Sequence, residues 1–340
     1  MAATIPTWRP PRPSEKSLRE PLSLAIGQAG VTGEPEAPDV DVVGADPLTA
    51  PLTYPGLPPW RPAVLVTDTE VLSLQPRRDR PLGRWPVGGS TLRSESKPAP
   101  MAPGSRAISG PDLLVESDPK AGPSSTADHS GRSVAQDGPL DRLLQAAGGP
   151  PTAARTPVLA VGSNASPAQV RRKMANAGLA TQVPITAVRV RGLTVGVSAH
   201  VSRPGYLPAT PVPDPAAESD LWVLWLDAAA LDAVDATEPN YRRVRLPARC
   251  PVQLTSGQAV TDGWVYLSRH GHLLNAAGQP RRLTDQATLI TALLAELPAL
   301  RELAGTDPEQ WIKRARDPGV RAAVRELFRS AGLVRSAERF

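Results

Sequence analysis

The sequence predicts an α+β fold, an antiparallel sheet or barrel with flanking helices followed by a run of C-terminal helices. Three observations predict it. Alternating or continuous apolar stretches recur between 158 and 267, capped helical periodicity governs 285–331, and 26 of the 40 prolines fall in residues 1–157. The 340 residues therefore divide by composition into unlike parts. Residues 1–138 read as a Pro-rich, largely disordered extension, since runs such as 94–104 and 118–138 hold too little apolar surface to offset their ordering entropy. Residues 139–280 read as the sheet or barrel domain, and 281–340 as helices packed on it.

Taken in order, the first expected element is a short ordered β segment near 54–87. The apolar runs 63–66 and 71–74, separated by Thr67-Asp-Thr-Glu70, read as a hairpin. Alone it would be marginal in water, so it is expected to lie against the later domain. Pro139 opens a lead-in helix that Gly148 and Gly149 end. An apolar strand at 158–161 then runs through Gly162-Ser163-Asn164 into a helix begun by Ser166 and Pro167 and stopped at Gly178. The amides of that turn are expected to converge on one spot and favour a carboxylate or phosphate.

Strands follow at 185–191, 193–201, 221–226, 241–246, 252–254 and 263–267. Between the third and fourth, Asp227 caps a short helix that Pro239 forbids from continuing, leaving Asp235 and Glu238 near its end. Spaced by three, these carboxylates would share a face. Downstream, Thr284, Asp307 and Asp317 are the expected caps of three helices, which could cover a barrel face, close a pocket or build a dimer.

Charge and composition exclude several functions. The net charge is +5, and residues 311–340, with eight Lys or Arg against three Asp or Glu, account for all of it. Arg321, Arg325 and Arg329 recur every four residues opposite an apolar face of Val320, Val324, Leu327 and Phe328. No aromatic stacking platform accompanies them, which argues against a nucleic-acid partner. No apolar run is long enough to span a bilayer and no signal peptide is evident, so a cytoplasmic protein without a membrane partner is expected. The lone Cys250 reads as a packing residue. His129, His200, His270 and His272 lack a third ligand at useful spacing, so neither a metal nor another cofactor is expected.

The order of strand, Val161-Gly162-Ser163-Asn164, helix, Trp-rich strand and Leu231-Asp232-Ala233-Val234-Asp235, followed by Tyr241 and Arg242, resembles the γ-glutamyl cyclotransferase-like family. The likeness covers roughly residues 156–268. It implies a small, mostly antiparallel β-barrel with flanking helices. It also implies that the loop holds a γ-glutamyl group while a carboxylate moves protons as the substrate's α-amine attacks its γ-carbonyl, releasing 5-oxoproline and an amine. Two residues depart from the pattern. Val161 stands where the family's loop carries Tyr, and strict spacing puts Asp235 at the catalytic position. Glu238, three residues on, would take that role with longer reach, and the Pro239 bend after it favours Glu238, with Asp235 the alternative. Tyr206, Asn240 and Tyr241 are expected to line the pocket beside Val161, Gly162, Ser163 and Asn164. The expected function is thus an enzyme acting on a small γ-glutamyl-type substrate; the alternative is a non-catalytic binding or scaffold protein that keeps the fold.

Overall fold

The computed structural model describes residues 46–90 and 139–336. The runs 94–104 and 118–138, and His129, lie outside these residues. The N-terminal hairpin is β1 (Ala63–Thr67) and β2 (Val71–Leu74), extended by β3 (Val87–Ser90). After α1 (Leu140–Ala146) come β4 (Thr156–Ala160) and α2 (Pro167–Asn176). Two long strands follow, β5 (Gln182–Val197) and β6 (Ala209–Leu226), and then α3 (Ala228–Ala236). Next are β7 (Tyr241–Arg245), β8 (Val252–Leu254), β9 (Ala259–Val260), β10 (Trp264–Ser268) and β11 (His272–Leu273). The C-terminal part holds α4 (Gln286–Glu296), α5 (Ala299–Ala304), α6 (Pro308–Arg314), α7 (Pro318–Ser330) and β12 (Val334–Arg335).

The fold is α+β, but its sheet does not close into the expected barrel. Strands run in the order β3-β2-β1-β5-β6-β4-β10-β7, with β8 and β9 added beside β5, and among the described residues nothing pairs β7 back to β3. The reason lies in β5. Its edge opposite β6 is occupied by β1 through Thr186↔Ala63 and then by β8 through Val188↔Leu254, so the N-terminal hairpin extends the sheet instead of leaving an edge free for closure. All pairings are antiparallel except β4 with β10.

Two readings of the strands differ from the sequence. The expected strands 185–191 and 193–201 are one strand, with a register shift between Arg191 and Leu193 at Gly192, whose φ of 77° suits glycine. Strand β6 begins a dozen residues before the Trp run, through Pro211 and Pro213, which pair with Val195 and Leu193. Because these prolines alternate, both missing N–H donors fall on the edge of β6 away from β5, where they cost no ladder bond.

Both sheet faces are covered. Ala63 and Leu65 of β1 pack with Leu140, Leu144 and Trp85, while Val64 and Val66 join Val170 and Met174 of α2 and Val234 of α3 on the other face. A third cluster gathers the C-terminal helices through Leu289, Ile290, Trp311 and Phe328 around the end of β5 at Val197. Full burial of each such side chain contributes about 1.5–3 kcal/mol before entropy is subtracted. Side chains of Asp227, Asp285, Asp307 and Asp317 accept from the first-turn amides of α3, α4, α6 and α7. Asp285, not Thr284, therefore caps α4, because its carboxylate reaches the Thr288 amide. Among the described residues no helix is long and apolar enough to cross a membrane.

Candidate active site

A cavity of about 300 Å3 opens where the turn after β4 faces the bend after α3. Val161, Gly162, Ser163, Asn164, Tyr206, Glu238, Asn240 and Tyr241 all line it. Residues 74 positions apart in sequence meet there, the Asn164 side-chain amide donating to Glu238 Oε1 at 3.1 Å. Lys173, from the second turn of α2, reaches the same two groups. Its Nζ lies 2.8 Å from Glu238 Oε1 and 2.6 Å from Asn164 Oδ1, and the Lys173 and Glu238 side chains are only 9% and 15% exposed.

Asp235 is placed otherwise. It is not among the cavity-lining residues, and both of its oxygens accept from Arg243 at 3.0–3.2 Å while the Tyr266 hydroxyl donates to Oδ1 at 2.6 Å. Burial raises its pKa, but the bonds from Arg243 and Tyr266 outweigh that and hold the carboxyl below its usual range.

Three of the amides expected to converge on the cavity are engaged elsewhere. Ala165 and Ser166 N–H donate to Gly162 and Ser163 carbonyls in a 3-10 turn, and the Ser163 amide faces the Tyr54 hydroxyl. The 3-10 turn takes up the Ala165 and Ser166 donors, and the loop meets Glu238 through the Asn164 side chain. Ser166 occupies the N-cap position of α2 without a side-chain cap bond.

Tyr54 and Lys173 are the residues that sequence reasoning missed. All four tyrosines of the chain, Tyr54, Tyr206, Tyr241 and Tyr266, line the cavity. Tyr54 stacks on Tyr206 with ring centroids 4.2 Å apart. The Ala209 amide donates to the Tyr54 hydroxyl at 2.8 Å, and the Tyr241 hydroxyl donates to the Ala209 carbonyl at 2.9 Å. A side chain at position 162 would collide with the Tyr54 hydroxyl, which is why glycine stands there. Burial raises all four phenol pKa values, Tyr206 to about 12, and the Glu238 charge adds to each, so the hydroxyls remain protonated donors. A signal for Lys173 existed, since it lies three residues from Val170 and beside Met174 on the buried face of α2. Tyr54 carried none, being joined to the site by ring stacking and a hydrogen bond with residues more than 150 positions away.

Behind Tyr241, His200 is 4% exposed, bonded through Nδ1 to Ser198 Oγ at 2.6 Å, and its ring lies 4.6 Å from that of His270. Burial, then His270 and Arg325, depress its pKa to about 3, leaving it neutral. Among the described residues no three His, Cys, Asp or Glu side chains are grouped to hold a metal ion.

No protein-family model matches this chain, nor does any curated protein. Among solved structures it is similar to a γ-glutamyl cyclotransferase, with 11% identity over 50% of this chain and 98% of that one, at a TM-score of 0.28. A protein from Arabidopsis thaliana, solved in solution, shares 17% identity over 44% of this chain and 92% of its own, at a TM-score of 0.27. Scores this low leave the functional argument to the site itself.

Proposed function

We propose that this protein is a γ-glutamyl cyclotransferase-like enzyme that cleaves a γ-glutamyl amide into 5-oxoproline and an amine, with Glu238 as general acid and base. The observation that carries the reading is the meeting of Glu238 with Asn164 and Lys173 inside a tyrosine-lined cavity. The reaction moves two protons from the α-nitrogen of the substrate to the leaving nitrogen. Glu238 takes the first from the α-ammonium, freeing the amine to attack the γ-carbonyl. The tetrahedral oxyanion lies against the Lys173 ammonium and the Tyr54 and Tyr206 hydroxyls, since those of Tyr241 and Tyr266 already donate to Ala209 and Asp235, and these donors stabilise the new negative charge where little water competes. Glu238 passes its proton to the leaving nitrogen as the C–N bond breaks, and the second proton follows the same path as the lactam forms. Ring closure to five members is intramolecular, so positioning supplies much of the acceleration. Asp235 is already committed to Arg243, which supports Glu238 as the acting carboxylate. In this reading Tyr54 provides the hydroxyl that Val161 cannot, reaching the loop from the N-terminal segment.

The test is 5-oxoproline release from a panel of γ-glutamyl amides by the wild-type protein and by Glu238→Gln. Loss of general acid and base catalysis is expected to lower kcat by about 10^2–10^4. A wild-type protein that turns over no member of the panel overturns the proposal. Ligand-induced melting shifts that occur without product and survive Glu238→Gln would instead identify a binding protein, a reading favoured by the Lys173 ion pair that already satisfies Glu238 Oε1.

A further inference from the structure

A second cavity of about 240 Å3 adjoins the first and shares His200, Arg203 and Asn240 with it. Its remaining wall is α7, through Arg321 and Arg325, together with His270. No Asp or Glu lines it, and among the described residues Arg203, Arg321 and Arg325 form no ion pair. Three arginines thus line one small space with no acidic residue beside them. Arg321 is fixed by Nη1, which donates to the Ala315 and Arg316 carbonyls at 2.8 and 2.7 Å. Arg325 Nε is buried with no hydrogen-bond partner. The positive field reaches the neighbours as well, since after burial Arg325 contributes to lowering the pKa of both His200 and His270. Neutral imidazoles donate and accept without adding charge, so the arginines set the sign of the cleft.

We infer that this arginine-lined cleft is an anion subsite holding the leaving-amine end of the substrate, so that the preferred γ-glutamyl amide carries a terminal oxyanion on its amine. The inference rests on the cyclotransferase reading for which end of the substrate it assigns. Geometry gives the order: the γ-glutamyl group lies by Glu238 and Asn164, the scissile bond points toward Arg203 and Asn240, where the cavities meet, and the tail ends between Arg203 and Arg325. Guanidinium forks pair with carboxylate and phosphate oxygens alike, and two or three converging forks fill the acceptor sites of one such group.

The experiment compares kcat/KM for three conjugates of similar length, γ-glutamyl-propylamine, γ-glutamyl-β-alanine and γ-glutamyl-O-phosphoethanolamine, in wild type, Arg325→Gln and Arg203→Gln. Wild type is expected to favour the two charged tails over the neutral one by at least tenfold, and the comparison between them separates a carboxylate from a phosphate ligand. Each substitution is expected to reduce that preference about tenfold. A wild-type preference near one, or a preference that both folded variants retain, overturns the inference. Arg203 lies on a loop outside the α7 packing, so its variant decides the matter if Arg325→Gln does not fold. Should no conjugate be turned over, the cyclotransferase reading fails on its own, and calorimetry with pyrophosphate then tests the cleft. Binding weakened tenfold by Arg203→Gln keeps an anion site; absence of binding to wild type removes it.

Discussion

Lys173 and Glu238 carry opposite charges where water barely reaches, so each depends on the other. Removing one partner of such a pair leaves an uncompensated charge and costs about 3–5 kcal/mol, whereas removing both costs much less. Lys173→Met should therefore lower unfolding stability by roughly 3 kcal/mol, and Lys173→Met with Glu238→Gln should recover most of it. Urea titrations of the three variants close this cycle. His200 gives a second expectation, in pH. Its imidazole takes up a proton near 6.5 when unfolded but only near 3 when folded, so the unfolded chain binds more protons between those values. Stability is complete above 6.5, falls on acidification, and has lost this contribution by about 3. At pH 5 the loss from this one group is about 2 kcal/mol relative to neutral pH. Unfolding free energies at pH 7.5 and 5.0 check it, and His200→Gln should flatten the difference.

At the scale of elements, the N-terminal hairpin has a structural and a chemical role. β1 occupies an edge of β5 and buries Ala63, Val64, Leu65 and Val66 on two faces, while the turn preceding it brings Tyr54 to the cavity. A protein limited to residues 139–340 is expected to aggregate, because the β5 edge and two apolar faces open together. Size-exclusion chromatography checks this; a soluble monomer would show the hairpin to be dispensable. The elements differ in how far sequence reveals them. Strand β4, the glycine turn and the helix ended before Pro239 carry local signals, and they appear where periodicity and capping put them. The Pro-bearing start of β6 does not read as a strand, since its alternating prolines become tolerable only once one edge is free.

Over the whole molecule, two of the eight basic residues of 311–340, Arg321 and Arg325, line the second cavity, while Lys313, Arg314, Arg316, Arg329 and Arg335 are exposed. Salt should then weaken recognition of a charged substrate selectively. Raising KCl from 50 to 500 mM is expected to increase KM for γ-glutamyl-O-phosphoethanolamine several-fold and leave that for γ-glutamyl-propylamine nearly unchanged, as steady-state kinetics would read. Composition and periodicity by themselves determined the α+β class, the strand-turn-helix corner at Gly162 and the carboxylate bend at Glu238, because these depend on neighbours a few residues away. Tertiary structure alone decided that the sheet stays open, that Lys173 and Tyr54 join the lining of the first cavity, that the Ser163 amide meets the Tyr54 hydroxyl, and that α7 walls a second cleft. Each of those joins residues far apart along the chain, and their meeting is set by how sheet faces and helices pack to bury apolar surface, which no local pattern encodes.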